Sequence, residues 1–192
     1  MNFNIVVIGS SAGGPRILKE LFNGLPLLNC SIILVQHMPK FVNDSLTKHL
    51  AQLTDMSVKI AENGERIKRG KIYVAPSEQH LELVNNRTIR LFRGKKVNFV
   101  CPSIDVTMKS LKKMSDDKII GIILTGMGRD GAEGISHIKA IGGVTIAQDE
   151  ETSIIYGMPK EAFKTGNIDL VLSPVKIKEK LIEFLGVIDN LG

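Results

Sequence analysis

The chain has 192 residues, a net charge of +5 at neutral pH, and hydrophobic and charged fractions of 43% and 23%. These fractions are typical of one ordinary soluble domain, and no apolar stretch approaches the ~20 residues that a membrane-spanning helix needs. No basic segment precedes the short apolar run at the N-terminus, so it does not read as a signal peptide and we expect a cytoplasmic protein.

Apolar runs and helical stripes alternate along the chain. Several predicted strands are near-continuous aliphatic runs, as in strands buried on both faces of a parallel sheet. The predicted helices carry apolar side chains at helical spacing, and the last begins with a Ser-Pro pair that favours a helix start. The strands are at 3–8, 31–36, 71–75, 119–124, 143–147 and 169–172, with a hairpin at 80–92. The helices lie between them, with apolar stripes over 17–25, 42–53 and 104–111, a further helical stretch after Asp130 that includes His137, and a last helix that starts at 173 and has its stripe over 177–188.

The hairpin is predicted by HLELVNNRTIRLF, in which apolar residues alternate on both sides of Asn85-Asn86. We therefore expect a single domain over residues 1–192 with an α/β fold: an open, doubly wound, mostly parallel sheet with helices on both faces and a β-hairpin at one edge. Right-handed crossovers place the loops after parallel strands at one edge of the sheet, and ligands and chemistry gather there.

Cysteine and aromatic content limits the chemistry that such a fold could carry. Cys30 and Cys101 are too few for a disulfide framework and lack the spacing of metal ligands, so we expect two reduced, partly buried thiols. Basic residues are spread along the chain, which has no tryptophan and only two tyrosines. Nucleic-acid binding by base stacking is therefore not expected, although a mild positive field favours an acidic protein partner.

Three loops that follow strongly apolar strands carry a serine pair, a histidine and an aspartate. They are Gly-Ser-Ser-Ala-Gly-Gly at 9–14, Gln-His-Met-Pro at 36–39 and Thr-Gly-Met-Gly-Arg-Asp-Gly at 125–131. If their strands are neighbours, Ser11, His37 and Asp130 converge at one edge of the sheet. That set of side chains is the inventory for acyl transfer through a serine nucleophile.

The first of these loops allows two interpretations. A dinucleotide fingerprint needs a glycine where Ser11 stands, so that the backbone can touch a pyrophosphate. The loop does fit G-x-S-x-G with Gly9, Ser11 and Gly13, which would expose the Ser11 hydroxyl on a sharp bend. Ser10 comes one residue too early for that position and is interpreted as a turn residue or a supporting hydrogen-bonding group. A glycine-rich helix start also binds anions readily, so the loop alone leaves nucleophile and anion cradle open.

The histidine and the aspartate also have structural alternatives. His37 directly follows a buried strand at the edge where Ser11 lies, whereas His49, His80 and His137 are interpreted as structural. Asp130 precedes a helical stretch and could simply cap it, or it could orient the His37 ring.

Motifs along nearly the whole chain resemble the catalytic domain of the chemotaxis protein-glutamate methylesterase family (CheB). The matching segments, in order from about residue 5 to residue 185, are VVIGSSAGGP, VQHMP, YVAPSEQHLEL, PSIDV, ILTGMGRDGAEG, TIAQDEETSIIYGMP and the closing Ser-Pro helix. The resemblance places the family nucleophile on Ser11, its histidine on His37 and its aspartate on Asp130. The order Ser–His–Asp differs from the Ser–Asp–His order of α/β-hydrolases, so the loop resembles their nucleophile turn in function and not in topology.

The resemblance implies hydrolysis of glutamate γ-methyl esters, and deamidation of glutamines, on the cytoplasmic helical bundle of membrane chemoreceptors. No cofactor and no metal are expected, and no membrane insertion. Backbone N–H groups near Ala12, His37 and Met127 are candidate donors to the oxyanion, with Ser10 and Thr125 as supporting residues. The rival hypotheses are a nucleotide- or anion-binding Rossmann-like module and a non-catalytic receptor-docking domain.

The chain also departs from the family pattern. Most members carry an N-terminal receiver domain, whereas this chain starts at the first catalytic strand, so no receiver domain is expected within it and a separate one is a candidate partner. Many members have Thr at the position of Ala12, His at Val100 and a smaller residue at Arg129. These differences leave the three candidate catalytic residues in place and bear on contacts with the substrate.

Overall fold

Strands and helices alternate along the chain in the computed structural model, which describes residues 3–113 and 117–188. The strands are β1 (Asn4–Ser10), β2 (Cys30–Gln36), β3 (Ser57–Ile60), β4 (Lys71–Val74), β5 (His80–Val84), β6 (Thr88–Phe92), β7 (Ile119–Ile123), β8 (Val144–Gln148) and β9 (Leu170–Leu172). The helices are α1 (Gly14–Phe22), α2 (Asn43–Ala51), α3 (Ile104–Lys109), α4 (Ala132–Ala140), α5 (Met158–Lys164) and α6 (Pro174–Leu185), with a 3₁₀ turn at Lys40–Val42.

Seven strands form one parallel sheet in the order β3-β4-β2-β1-β7-β8-β9. Every residue of the central strands β1, β2 and β7 is buried. Their aliphatic runs are therefore explained by helices on both faces of the sheet. The predicted α/β class and the parallel sheet are confirmed.

Each face of the sheet packs against its own layer of helices. One layer is formed by α1, α2 and α6, through side chains such as Leu18, Leu50 and Leu181. The other is formed by α3, α4 and α5, through side chains such as Met108 and Ile135. The doubly wound architecture predicted from the sequence is thus present. Among the described residues, no helix has both the length and the apolar character needed to cross a membrane.

The strand order reverses between β1 and β7. After β1 the chain adds β2, then β3 at the sheet edge, and then β4 between β3 and β2. It later returns to place β7 on the other side of β1. The loops after β1 and β7 consequently run to opposite faces of the sheet and leave a crevice at its carboxyl edge. Such a switch point is the usual ligand site of open α/β sheets.

The structure adds two elements that the sequence patterns did not predict, β3 and α5. Strand β3 is a four-residue edge strand with no fully buried residue, so it lacks the apolar run that marks the other strands. The predicted last helix also ends earlier than residue 188, because Gly186 at φ 71° stops it after Leu185.

The hairpin of β5 and β6 is confirmed, but it forms its own two-stranded sheet and does not extend the edge of the main sheet. Its partner is α3: Thr107 Oγ1 donates to the Leu81 carbonyl at 2.8 Å, and Leu83 N donates to Ser110 Oγ at 2.9 Å. The buried face of the hairpin, with Leu81, Leu83 and Ile89, joins the core beneath α3 and α4. The alternating pattern showed that one hairpin face is buried, but not which element covers it.

Candidate active site

Ser11 lies immediately after β1, between the loops that follow β2 and β7. Its backbone N–H donates to the Thr125 carbonyl at 3.0 Å, which fixes it beside the β7 loop. A Cβ atom added to Gly126 would lie 2.7 Å from Ser11 Cβ, so only glycine allows this approach. Gly13, at φ 80°, makes the left-handed turn into α1. Ser11 is partly exposed, and its hydroxyl has no hydrogen-bond partner among the described residues.

The buried side chain of Gln36 ties the Ser11 loop to the His37 loop. Its Nε2 donates to the Ser11 carbonyl at 2.9 Å and to the His37 carbonyl at 2.8 Å. Ser10 Oγ donates to Gln36 Oε1 at 2.5 Å, so Ser10 has a supporting position. A Cβ at Gly14 would meet Gln36 Oε1 at 2.0 Å. Sequence reasoning did not assign a role to Gln36, although a polar residue that closes an aliphatic run was a visible signal.

His37 and Asp130 are joined directly, because His37 Nε2 lies 2.9 Å from Asp130 Oδ2. A carboxylate only accepts hydrogen bonds, so Nε2 carries the proton and Nδ1 is the basic nitrogen of the neutral ring. Nδ1 has no hydrogen-bond partner in the described part of the chain. The His37 side chain is 11% exposed and Asp130 is buried, which shields this pair from water.

The Asp130 carboxylate accepts further hydrogen bonds from the start of α3 and the turn before it. Ile104 N and Ser103 Oγ each donate to it at 2.7 Å, and Asp105 N donates at 3.2 Å. Burial alone would raise the pKa of Asp130, but the hydrogen bonds from His37, Ile104 and Ser103 outweigh burial and hold that pKa below its ordinary value. Asp130 therefore stays ionised beside the imidazole.

Asp130 does not cap the helix that follows it. The N-cap of α4 is Gly131, and no side chain caps that helix from this position. The Asp130 carboxylate instead receives the first N–H groups of α3, where the helix dipole favours negative charge. The capping interpretation drawn from the sequence is wrong for α4.

Thr125 and the candidate oxyanion donors lie around Ser11. Thr125 is buried; its Oγ1 donates to the Ala12 carbonyl at 3.1 Å and accepts from Ile155 N at 2.9 Å, so it supports the loop. Among the described residues, the N–H groups of Ala12 and Met127 have no acceptor. The N–H of His37 donates to the Ser10 carbonyl at 3.0 Å, so it is not available to an oxyanion as the sequence had suggested.

A cavity of about 410 Å³ opens beside His37. Its wall includes the apolar side chains of Met38, Phe99 and Val100, together with Cys101. This volume is within the range of small-molecule sites, roughly 300–1,000 Å³. The cavity therefore offers room for a substrate side chain next to the candidate base.

The other described histidines have structural partners. Ring nitrogens of His80 contact the Lys95 carbonyl at 3.0 Å and the Ser103 N–H at 3.2 Å. His137 Nε2 lies 2.7 Å from the Leu111 carbonyl. His49 sits in α2. None of the three is linked to Ser11 or Asp130 by a hydrogen bond in the residues that the structure describes.

A doubly wound α/β domain that brings a serine, a histidine and an aspartate to the switch point of its sheet belongs to the class of serine-hydrolase-like domains. Comparison with known proteins then gives the family. The family model for the CheB methylesterase matches residues 6–181, and the chain belongs to the CheB methylesterase family.

Individual relatives agree with this assignment. A protein of Thermotoga maritima named protein-glutamate methylesterase/protein-glutamine glutaminase is 43% identical over 94% of this chain and 54% of its own length. A protein of the same name from Pyrococcus horikoshii is 42% identical over 97% of the chain and 53% of its own length. The chain thus spans about half the length of these curated relatives.

A solved structure matches the fold over nearly its whole length. The crystal structure of the Thermotoga maritima CheB methylesterase catalytic domain superposes with a TM-score of 0.90 at 42% identity, covering 95% of this chain and 99% of that one. The likeness therefore covers the whole catalytic domain of that relative.

Proposed function

We propose that this chain is a protein-glutamate methylesterase that also deamidates glutamine side chains, with Ser11 as nucleophile, His37 as general base and Asp130 as the group that orients His37. The observation that carries the proposal is the 2.9 Å contact between His37 Nε2 and Asp130 Oδ2, made beside a serine whose hydroxyl has no other described partner. The names of the relatives that match nearly all of this chain support the same activity.

The first step is attack of Ser11 Oγ on the ester carbonyl carbon. His37 Nδ1 takes the proton of the Ser11 hydroxyl as the Oγ–carbon bond forms. Asp130 keeps the proton of the ring on Nε2 and stabilises the imidazolium that results. The low pKa of Asp130 suits this role, because the carboxylate stays charged while His37 accepts and releases a proton.

The tetrahedral intermediate carries a negative charge on the former carbonyl oxygen. The N–H groups of Ala12 and Met127, which lack other described acceptors, are the donors that we assign to this oxygen. Fixed donors of this kind are each worth about 3 kcal/mol of transition-state stabilisation. The Ser11 N–H is held by Thr125 and is not available for this purpose.

Collapse of the intermediate breaks the bond between the acyl carbon and the methoxy oxygen. The imidazolium donates its proton to the leaving oxygen, so methanol departs and an acyl-enzyme on Ser11 remains. His37 then removes a proton from water, which attacks the acyl carbon. The bond between the acyl carbon and Ser11 Oγ breaks, the imidazolium returns its proton to Ser11 Oγ, and glutamate is released. With a glutamine side chain the same sequence releases ammonia.

The substrate implied by family membership is the cytoplasmic helical bundle of a chemoreceptor that carries glutamate methyl esters. The enzyme would meet that bundle in the cytoplasm without inserting into the membrane. A receiver domain is the regulatory partner that we propose, since receiver domains precede the catalytic domain in most of the family.

The test is methanol release from a chemoreceptor cytoplasmic fragment carrying radiolabelled methyl esters. Ser11→Ala should abolish release and labelling by a serine-directed phosphonate, while the circular dichroism spectrum is unchanged. Ser45→Ala, at an exposed serine of α2, is the matched control and should keep full activity. Full release by Ser11→Ala would refute the assigned nucleophile, and no release by the wild type would refute the activity itself.

A further inference from the structure

Phe99 combines two unfavourable features at one position. Its side chain is 94% exposed, although phenylalanine is normally buried. Its backbone adopts φ 67°, in the left-handed region that favours glycine and is rare for a bulky residue. Strained, exposed side chains of this kind cluster at functional sites, where the surrounding structure holds them in place.

A tight turn fixes Phe99 in this conformation. Val97 N donates to the Val100 carbonyl at 3.1 Å, and Val100 N donates to the Val97 carbonyl at 3.0 Å. The two residues between them, Asn98 at φ 51° and Phe99, both have positive φ, as the primed hairpin turns require. Asparagine tolerates this conformation, and the position of Phe99 is the one where glycine is usual. The turn thus presents an aromatic ring where no side chain is preferred.

The Asn98 side chain ties this turn to the candidate active site. Its Nδ2 donates to Asp105 Oδ2 at 2.8 Å and to Asp130 Oδ1 at 3.3 Å. The turn is therefore anchored to the carboxylate that holds His37. These hydrogen bonds hold the backbone of the turn next to Asp130, and Phe99 follows Asn98 directly in that turn.

Phe99 and His37 line the same cavity of about 410 Å³. Met38 and Val100 add apolar surface to its wall, which also carries Glu78 and Lys96. Phe99 belongs to neither hydrophobic core cluster, so nothing in the described part of the chain covers its ring. A substrate segment that places a glutamate ester at His37 would have its neighbouring side chains at Phe99.

We propose that Phe99 is a specificity-determining residue, whose ring packs against an apolar side chain of the substrate helix next to the esterified glutamate. The proposal rests on the methylesterase function given above and names the part of the substrate that Phe99 contacts. The substrate class is an amphipathic protein helix with an apolar residue beside the modified position. A free glutamate ester lacks that residue, so its hydrolysis does not depend on the apolar packing that Phe99 provides.

The test compares two substrates for the wild type, Phe99→Ala and Phe99→Gly. One is a methylated chemoreceptor fragment and the other is the γ-methyl ester of N-acetylglutamate amide. Both variants should lose about tenfold in kcat/KM on the fragment, chiefly through KM, because an aromatic contact is removed. Hydrolysis of the small ester should stay within twofold of the wild type.

Thermal unfolding separates this role from a structural one. Phe99→Gly relieves the positive φ, so its Tm should be unchanged or higher by up to about 3 °C while activity on the fragment falls. Phe163→Ala, at a 55% exposed phenylalanine of α5, is the matched control and should keep activity on both substrates.

Each outcome decides the matter. If the wild type hydrolyses the fragment and both Phe99 variants hydrolyse it equally well, the specificity role is overturned and the methylesterase function stands. An equal loss on both substrates would also overturn it, since the ring would then act on the chemistry. If the wild type releases no methanol from either substrate, the methylesterase function and this inference both fall.

Discussion

Asp105 and Asp130 each accept hydrogen bonds from the start of the helix to which the other is closer in sequence. Asp130, just before α4, accepts from the N–H groups of residues 104 and 105 in α3. Asp105, in α3, accepts from Gly131 N at 3.0 Å and Gly134 N at 2.6 Å at the start of α4. This exchange locks the two helices together and fixes the carboxylate that holds His37.

The exchange predicts opposite pH responses of the two carboxylates. The pKa of Asp130 is lowered, so its contribution to stability is full above the unfolded-state pKa of about 3.9 and is lost as the pH falls further. Burial raises the pKa of Asp105, and the charge of Asp130 raises it further. The Asp105 contribution therefore has the opposite sign: it is full below the unfolded-state pKa and is lost as the pH rises through the raised value.

Urea unfolding from pH 3 to pH 7 checks this assignment. Between neutral pH and acid, the difference in unfolding free energy between the wild type and Asp130→Asn should shrink as the pH drops below about 4. Asp130→Asn lacks the group whose charge is stabilising, so the unfolding free energy of this variant should depend less on pH in acid. A constant difference across the whole range would mean that the Asp130 charge does not contribute to folding.

Asp130→Asn also tests the orienting role in catalysis. The substitution keeps the shape of the side chain but places an amide where the proposed mechanism requires a carboxylate to stabilise the imidazolium. We expect turnover of the methylated fragment to fall by about 10⁴, the loss known for the equivalent change in serine proteases. Asp44→Asn, at an exposed aspartate in the first turn of α2, should leave turnover unchanged. A loss of Tm without loss of turnover would show that Asp130 only holds α3 in place.

Gln36→Ala tests the link between the nucleophile loop and the base loop. The change removes both donors to the Ser11 and His37 carbonyls and leaves Ser10 Oγ without its acceptor. We expect the unfolding free energy to fall by about 2 kcal/mol, because buried polar groups lose their partners. Turnover should fall more than KM rises, because Ser11 and His37 lose their relative placement.

The control for that change is Gln52→Ala, at the exposed C-cap of α2. It should alter neither turnover nor the denaturant midpoint. Wild-type kinetics in Gln36→Ala, with stability reduced, would restrict Gln36 to a packing role and leave Ser11 and His37 positioned by the strands alone.

The sequence was most informative where strands are long and buried. The aliphatic runs at 5–8 in β1, 32–35 in β2 and 119–123 in β7 have no polar interruption. Parallel strands also end at one edge by geometry. The placement of Ser11, His37 and Asp130 at that edge follows from these two facts. Their joint role in catalysis rested on the family resemblance and on residue chemistry, and it stays a prediction for the experiments above.

Long-range contacts were beyond the sequence patterns. The local sequence predicts that Asp130 is a helix cap, because its partners Ser103 and Ile104, at the start of α3, lie more than twenty residues away in the chain. The short edge strand β3 has no fully buried residue to mark it. The hydrogen bond from the backbone N–H of His37 to the Ser10 carbonyl also could not be predicted from the sequence. The positive φ of Phe99 could not be predicted either, since neither residue 98 nor residue 99 is the glycine that a primed turn favours.

Cys101 gives a chemical probe of the cavity beside His37. Burial raises the pKa of the Cys30 thiol to about 12 and also raises that of Cys101, but only Cys101 is partly exposed and lines the cavity. A maleimide should therefore modify Cys101 well before Cys30, as followed by mass spectrometry.

Modification should block hydrolysis of the methylated fragment, because the adduct fills the space next to His37. Cys101→Ala should retain activity and resist this inactivation. Equal inactivation of Cys101→Ala would show that the reagent acts elsewhere and that this cavity is not the path to the candidate base.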